Sequence, residues 1–156
     1  MEKRNYANIS MNLEGKSAIV TGGSLGIGAA IALKLAECGA NVAINYRKHK
    51  EEAEEVINQI NAMGVKGLLV QADISNYEDA ARMIETATNE FGGIDILVNN
   101  AGINWDGVIW KMSEEQWDSV ININLKGYFN YIRAVSPIFR EQKSGKIVNI
   151  TSINGM

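Results

Sequence analysis

The chain has 156 residues, about one domain's length, and its 46% hydrophobic and 21% charged residues suffice for one buried core. A formal net charge of −3 and a pI near 5.2 leave no electrostatic footprint for nucleic acid or an anionic membrane surface. A single Cys and a single His rule out a disulfide framework and argue against a metal centre, so no metal site is expected. The opening stretch, "MEKRNYANISMNLEGK", starts basic but has no apolar run behind it, so it reads as neither a signal peptide nor an anchor. The expectation is a soluble cytoplasmic domain over 1–156, with 1–14 as a loose arm.

In chain order, two kinds of segment alternate. Short aliphatic or β-branched runs occur at "SAIVT" (17–21), "NVAIN" (41–45), "KGLLVQ" (66–71), "DILVN" (95–99) and "KIVNIT" (146–151). They are nearly continuous in apolar character, the pattern of strands buried on both faces of a parallel sheet. Stretches of helical period lie between them. The first puts Ile27, Ile31, Leu35 and Cys38 on one face, which makes Cys38 a small core residue. The second puts Ala53, Val56, Ile60 and Met63 together, and the third Tyr77, Ala81, Ile84, Ala87 and Phe91. Gly39, Gly64 and Gly92 are read as helix stops. Ser75 with Glu78 and Ser113 with Gln116 are read as capping boxes. A long helix is expected from about Glu114 to Glu141, kinked or interrupted at Pro137. Strands alternating with helices give a doubly wound, Rossmann-like α/β fold on a parallel sheet, with five strands present.

The first strand runs into "TGGSLGIGAAIA", with glycines at 22, 23, 26 and 28. A turn without side chains lets backbone approach a pyrophosphate, and the helix that follows offers it free N–H groups. Tight helix–strand packing alone would also use glycines here, but the position between strand and helix favours phosphate binding. No G-K-[ST] follows, which disfavours a nucleoside triphosphate loop. The second strand ends in "NYRKHK", where Tyr46 and Arg47 occupy the place of the acid that holds a ribose 2′-hydroxyl in many dinucleotide folds. A guanidinium there matches a 2′-phosphate, so NADP is favoured with NAD possible; an ordinary basic surface loop is the competing reading.

Together "TGGSLGIG", "ADIS" (72–75), "NNAG" (99–102), "NLKG" (124–127) and "GKIVNITS" (145–152) resemble the short-chain dehydrogenase/reductase family over essentially the whole chain. The 99–129 stretch is most similar to bacterial 3-oxoacyl-[acyl-carrier-protein] reductases and acetoacetyl-CoA reductases, although Trp105 stands where a basic residue is usual. The resemblance implies that Gly22, Gly23, Ser24, Leu25, Gly26, Ile27 and Gly28 wrap the pyrophosphate and adenosine ribose. Arg47 would meet the 2′-phosphate, Asp73 and Ile74 the adenine, and Asn100, Ala101 and Gly102 the cofactor cleft, with Asn99 steadying the sheet. Asn124 and Ser152 would belong to the active site. The residues themselves leave Asn124 open: on an apolar helix face with Trp117, Val120, Ile121 and Tyr128, it is either a structural amide or a catalytic relay. In either role it needs hydrogen-bond partners, such as water or a local break in its helix.

In the family a Tyr-x-x-x-Lys on the helix after the Ser supplies the general acid, worth about 10²–10⁴-fold. The resemblance therefore reads the chain as C-terminally incomplete, and inactive alone, with strand 146–151 left as an edge prone to self-association. "YRKHK" at 46–50 matches the same pattern but lies at the adenosine end, away from the chemistry. The implied substrate is a small carbonyl compound or acyl thioester, and the full-length form a homo-oligomer, commonly a tetramer. The alternative is a catalytically inactive dinucleotide-binding or interaction module. A receiver-like α/β domain would need an acidic cluster at its strand ends, which "TGG" and "NNAG" do not supply.

Overall fold

A computed structural model of the chain describes residues 11–152. The strands are β1 (Ser17–Val20), β2 (Asn41–Tyr46), β3 (Gly67–Gln71), β4 (Ile96–Asn99) and β5 (Lys146–Asn149). The helices are α1 (Gly26–Glu37), α2 (Lys50–Ala62), α3 (Tyr77–Phe91), α4 (Glu114–Ile121) and α5 (Gly127–Gln142). All five strands pair in parallel in one sheet of order β3-β2-β1-β4-β5, with Ala18 facing both Val42 and Ile96 across the register. The chain therefore winds outward from β1 to β3 and returns to the other side of β1 with β4. The carboxyl ends of β1 and β4 form the switch point where open α/β sheets bind ligands.

Two apolar layers flank the sheet. On one face Val42, Ile44 and Val98 pack with Ala32 and Ala36 of α1 and Val56 and Ile60 of α2. On the other, Ile19 and Leu97 pack with Met83 and Ile84 of α3 and with Tyr131 and Val135 of α5. Burial on both faces holds for the inner strands β1, β2 and β4. It fails at the sheet's two ends: β3 is half-buried, and β5 is exposed along its length, with Ile147 39% and Val148 44% accessible.

Several local expectations change. The buried stripe of α1 is Gly28, Ala32 and Ala36, one position along from the predicted face, and Ile27 is 67% exposed. Small residues face the sheet because α1 lies close against it, so bulk cannot identify the inner side. Cys38 is only half-buried. In α2, Ala53, Val56 and Ile60 are buried as expected while Met63 is exposed; in α3 the buried residues are Ala80, Met83, Ile84 and Ala87, with Tyr77 and Phe91 half-buried. The chain does turn with positive φ at Gly39, Gly64 and Gly92. Ser113 and Gln116 form the expected capping box. Ser75 does not: Asn76 caps α3 by accepting from the Asp79 amide, while Ser75 donates its amide and hydroxyl to Asp73 Oδ1. The expected long helix runs without a gap from Glu114 to Gln142, but its regular α turns give way to a π-helical stretch at Asn122–Lys126 and not at Pro137, which α5 passes unbroken. Residues 1–10 of the expected arm lie outside the described residues. Just after them, the Leu13 amide donates to the Cys38 carbonyl at 2.7 Å.

The corner between β3 and α3 is held by two carboxylates. Asp79 Oδ2 accepts the Asp73 amide at 2.8 Å, and its Oδ1 pairs with Arg82, which also donates to the Gln71 carbonyl. The hydrogen bond donated by the Asp73 backbone amide and the Arg82 contact hold the Asp79 carboxyl below its usual 3.8. Burial works to raise Asp73, but hydrogen bonds from Ser75 and the nearby Arg47 charge outweigh it, and the net direction is downward. Groups depressed in the folded state contribute stability above their unfolded value, and that contribution is lost as pH falls through the folded values. Urea midpoints should therefore fall as pH drops below about 3.8. Asp79→Asn should lower the midpoint at neutral pH and flatten this acid limb; an unchanged limb would remove Asp79 from the account.

Candidate functional site

The glycine turn leaves β1 at its carboxyl end. Gly22 has φ +65, a conformation that side-chain-bearing residues rarely adopt, and its amide donates to Asn45 Oδ1 at 2.8 Å. Gly28, in the first turn of α1, is buried, and a Cβ there would run into the Gly22 carbonyl oxygen. Strand end and helix start therefore touch backbone to backbone. Leu25 at the N-cap supplies no side-chain cap, and no acidic residue stands in the first turn of α1. The helix thus presents uncapped N–H groups and the positive end of its dipole beside the switch point, an arrangement that fits a phosphate.

Three polar side chains that are buried or partly so tie the strand ends together. Asn45 accepts from Gly22 and donates to the Ala72 carbonyl at 2.9 Å, joining the carboxyl ends of β1, β2 and β3. Thr21 Oγ1 accepts the amides of Asn100 and Ala101 at 2.9 and 3.1 Å. Asn100 returns its side-chain amide to the carbonyls of Thr21 and Gly22 at 3.0 and 3.3 Å. Thr21 and Asn45 were not singled out from the sequence. Their signal is a polar residue ending an otherwise apolar inner strand, where burial requires a partner.

A cleft opens in front of this frame, lined by Gly22, Ser24, Arg47, Asp73, Ile74, Ala101 and Gly102 of the predicted set. Asn45, Tyr46, Ala72, Ile103 and Ile123 complete it. Gly23 and Gly28 are buried behind the lining, and Leu25 and Ile27 lie exposed at its margin, 48% and 67% accessible. A larger hollow lined by Glu14, Glu37, Met63 and Gly64 sits at the opposite, amino end of the strands, away from the switch point.

Asn124 is exposed rather than buried, and both its needs are met by one residue. Its Oδ1 accepts the Ile103 amide at 2.9 Å and its Nδ2 donates to the Ile103 carbonyl at 2.8 Å. The expected break is present as the π-helical stretch, but the partner is the loop after β4. Asn99 Nδ2 donates to Asn149 Oδ1 at 2.9 Å, linking β4 to β5. The Tyr128 hydroxyl donates to the Ile150 carbonyl at 2.9 Å, fixing the segment that leads from β5 into Ser152, which is exposed. Burial pushes the Tyr128 phenol up. In the "YRKHK" stretch, Tyr46 lines the cleft while Lys50 opens α2 and pairs with Glu54 at 3.3 Å.

A parallel sheet of this strand order with helices on both faces is a doubly wound, Rossmann-like α/β fold. Residues 16–156 match the family model described as short chain dehydrogenase, and the chain belongs to that family. It is 49% identical over 140 residues to the 3-oxoacyl-[acyl-carrier-protein] reductase FabG of Staphylococcus epidermidis, covering 90% of this chain and 57% of that protein. The 3-oxoacyl-[acyl-carrier-protein] reductase of a Synechocystis species is 44% identical, over 92% of this chain and 58% of its own length. Among solved structures, a short chain dehydrogenase from Burkholderia cenocepacia in complex with NADP is 38% identical with a TM-score of 0.85, covering 91% of this chain and 57% of that one. The chain thus spans between half and two thirds of the length of these relatives.

Replacing Asn45 by Ala should leave the Gly22 amide and Ala72 carbonyl without their partner and cost about 2–3 kcal/mol in urea unfolding. Asn41→Ala, at the more open start of β2, should cost under about 1 kcal/mol. Equal losses at the two positions would contradict the role given to Asn45.

Proposed function

We propose that the chain, read over 1–156 as one dinucleotide-binding unit, is the nucleotide-binding portion of an NADP-dependent oxidoreductase. Its substrate is a carbonyl compound, most specifically a 3-oxoacyl thioester. The observation that carries this is the uncapped start of α1 packed against Gly22 at the switch point, facing a cleft with Arg47 on its wall. The S. epidermidis and Synechocystis relatives support the substrate class, and the B. cenocepacia structure supports the coenzyme.

The bound nicotinamide would supply hydride chemistry at a carbonyl carbon. This chain's residues would bind and orient. The amides of Ser24, Gly26 and Ile27 would hold the pyrophosphate, with Gly22, Gly23, Leu25 and Gly28 shaping the turn. Arg47 would meet the 2′-phosphate, and Asp73 and Ile74 the adenine. Asn100, Ala101 and Gly102 would line the path toward the reacting end, where Ser152 would steady the substrate oxygen and Asn124 would organise the proton path through Ile103. No helix of the described residues is long and apolar enough to cross a membrane, and no group of metal-ligating side chains occurs among them. A cytoplasmic homo-oligomer accords with the exposed Trp110, Leu125 and Phe129, at 79%, 64% and 56% accessibility, which a subunit contact would cover.

Titration calorimetry should show NADPH binding to the 156-residue chain more tightly than NADH. Arg47→Ala should lower NADPH affinity by about tenfold, the scale of a lost charge-assisted contact, and NADH affinity far less. Equal losses would remove the phosphate assignment, and no heat with either coenzyme would remove the function. Ketone-dependent NADPH oxidation by this chain should be negligible, because no Tyr-x-x-x-Lys follows Ser152 within it. Robust turnover would refute that.

A further inference from the structure

Arg47 is not simply open to an incoming anion. Its Nη1 lies 3.5 Å from Asp73 Oδ2, with the side chains 48% and 37% accessible, and both residues line the same cleft. The two partners are not equally free to move. Asp73 is fixed at both ends: its amide donates to Asp79 Oδ2 at 2.8 Å, and its Oδ1 takes the Ser75 amide and hydroxyl at 2.9 and 2.7 Å. That leaves Oδ2 as the oxygen turned toward the guanidinium. Apart from that contact, Arg47 is held through its backbone carbonyl, which accepts from Gln71 Nε2 at 3.4 Å, and its long side chain can swing. Of the basic residues that follow it, Lys50 pairs with Glu54 at 3.3 Å and His49 Nδ1 lies 3.4 Å from Glu52 at the start of α2, while Lys48 is exposed.

Resting on the reading of Arg47 as the 2′-phosphate ligand, we propose that Asp73 is a specificity-determining residue that competes with that phosphate for the Arg47 guanidinium. A phosphate near Arg47 carries close to two negative charges at neutral pH. It must draw the guanidinium from a fixed carboxylate and then sit within a Debye length of it. A ligand with a plain 2′-hydroxyl leaves the pair closed and meets no such opposition. Asp73 thereby narrows the preference for the phosphorylated coenzyme, and the pair gives the site a route to dual use.

The test compares adenosine 2′,5′-bisphosphate with 5′-AMP, probes that differ only in the 2′-phosphate. Calorimetry on the 156-residue chain gives the ratio of their dissociation constants in wild type, Asp73→Asn, Arg47→Ala and the double variant. Asp73→Asn should raise the preference for the bisphosphate by about two- to fivefold, the scale of an exposed ion pair, and by less in the Arg47→Ala background. An unchanged or reduced preference in Asp73→Asn, while Arg47→Ala lowers it, overturns the competition and leaves the phosphate reading intact. Arg47→Ala without effect on the preference overturns the phosphate reading and the competition with it. The wild type provides a check that needs no variant. Its Asp73 carboxyl ¹³C resonance should shift further on adding the bisphosphate than on adding 5′-AMP, which would reach Asp73 through the adenine alone; equal response to both probes, or none, overturns the proposal.

Discussion

Everything in the cleft depends on how closely the start of α1 approaches the end of β1. The approach is a backbone-to-backbone contact: the Gly22 carbonyl occupies the place where a side chain on Gly28 would begin. It leaves no room for side chains at Gly22, Gly23 and Gly28, so the Gly22 peptide groups find partners on other strand ends. Asn45 accepts the Gly22 amide and Asn100 donates to the Thr21 and Gly22 carbonyls, while Thr21 Oγ1 in return accepts the Asn100 and Ala101 amides. A buried amide left without partners costs about 1–3 kcal/mol, so these side chains are bound to one geometry. The turn inherits its rigidity from the inner strands. An anion arriving at the uncapped start of α1 would meet a backbone already held in place and would not have to order it.

The other wall is built differently. The loop after β4 is exposed from Asn104 to Lys111 and has little apolar packing of its own. Its tie to the helical layer is the paired hydrogen bond between Asn124 and the Ile103 backbone. The ligating Asn sits in the π-helical stretch between α4 and α5. The wider turn there carries an extra residue without ending the helical run. A regular helix through Asn122–Lys126 would change the angular position of Asn124 relative to the core contacts of Tyr131 and Val135. The π turn allows one layer to meet both the sheet and the loop.

The frame of the fold was legible because parallel strands advertise themselves: "SAIV", "NVAI" and "ILVN" are apolar on both faces, and glycines punctuate the helices between them. The motif-bearing residues of the cleft wall were legible for the same reason, since they lie at strand ends whose place in the sheet follows from the winding. What escaped depends on contacts across sequence. The inner face of α1 was read from bulk as Ile27 and Ile31, yet close packing demanded Gly28, Ala32 and Ala36. Asn45 looked like the last residue of an apolar run, and its role appears only when Gly22 and Ala72 are seen on either side of it. Pro137 suggested the helix break and Asn124 marked it, because tertiary bonding outweighed local propensity.

The electrostatics of the cleft run against the protein as a whole. An acidic chain of net charge −3 gives a diphosphate no long-range attraction, and α2 opens with Glu51 and Glu52 only a few residues beyond Arg47. At physiological salt, charges beyond about 8 Å are largely screened, so the balance is decided within the first contacts. There Lys50 pairs with Glu54 of α2, and the helix dipole of α1 adds positive potential with no side-chain charge of its own. Recognition built this way is short-ranged. It would favour a ligand that fits the turn over one that is merely anionic, and under the proposed reading discrimination between coenzymes would fall to the Arg47 guanidinium at the edge of the cleft and the Asp73 carboxylate beside it.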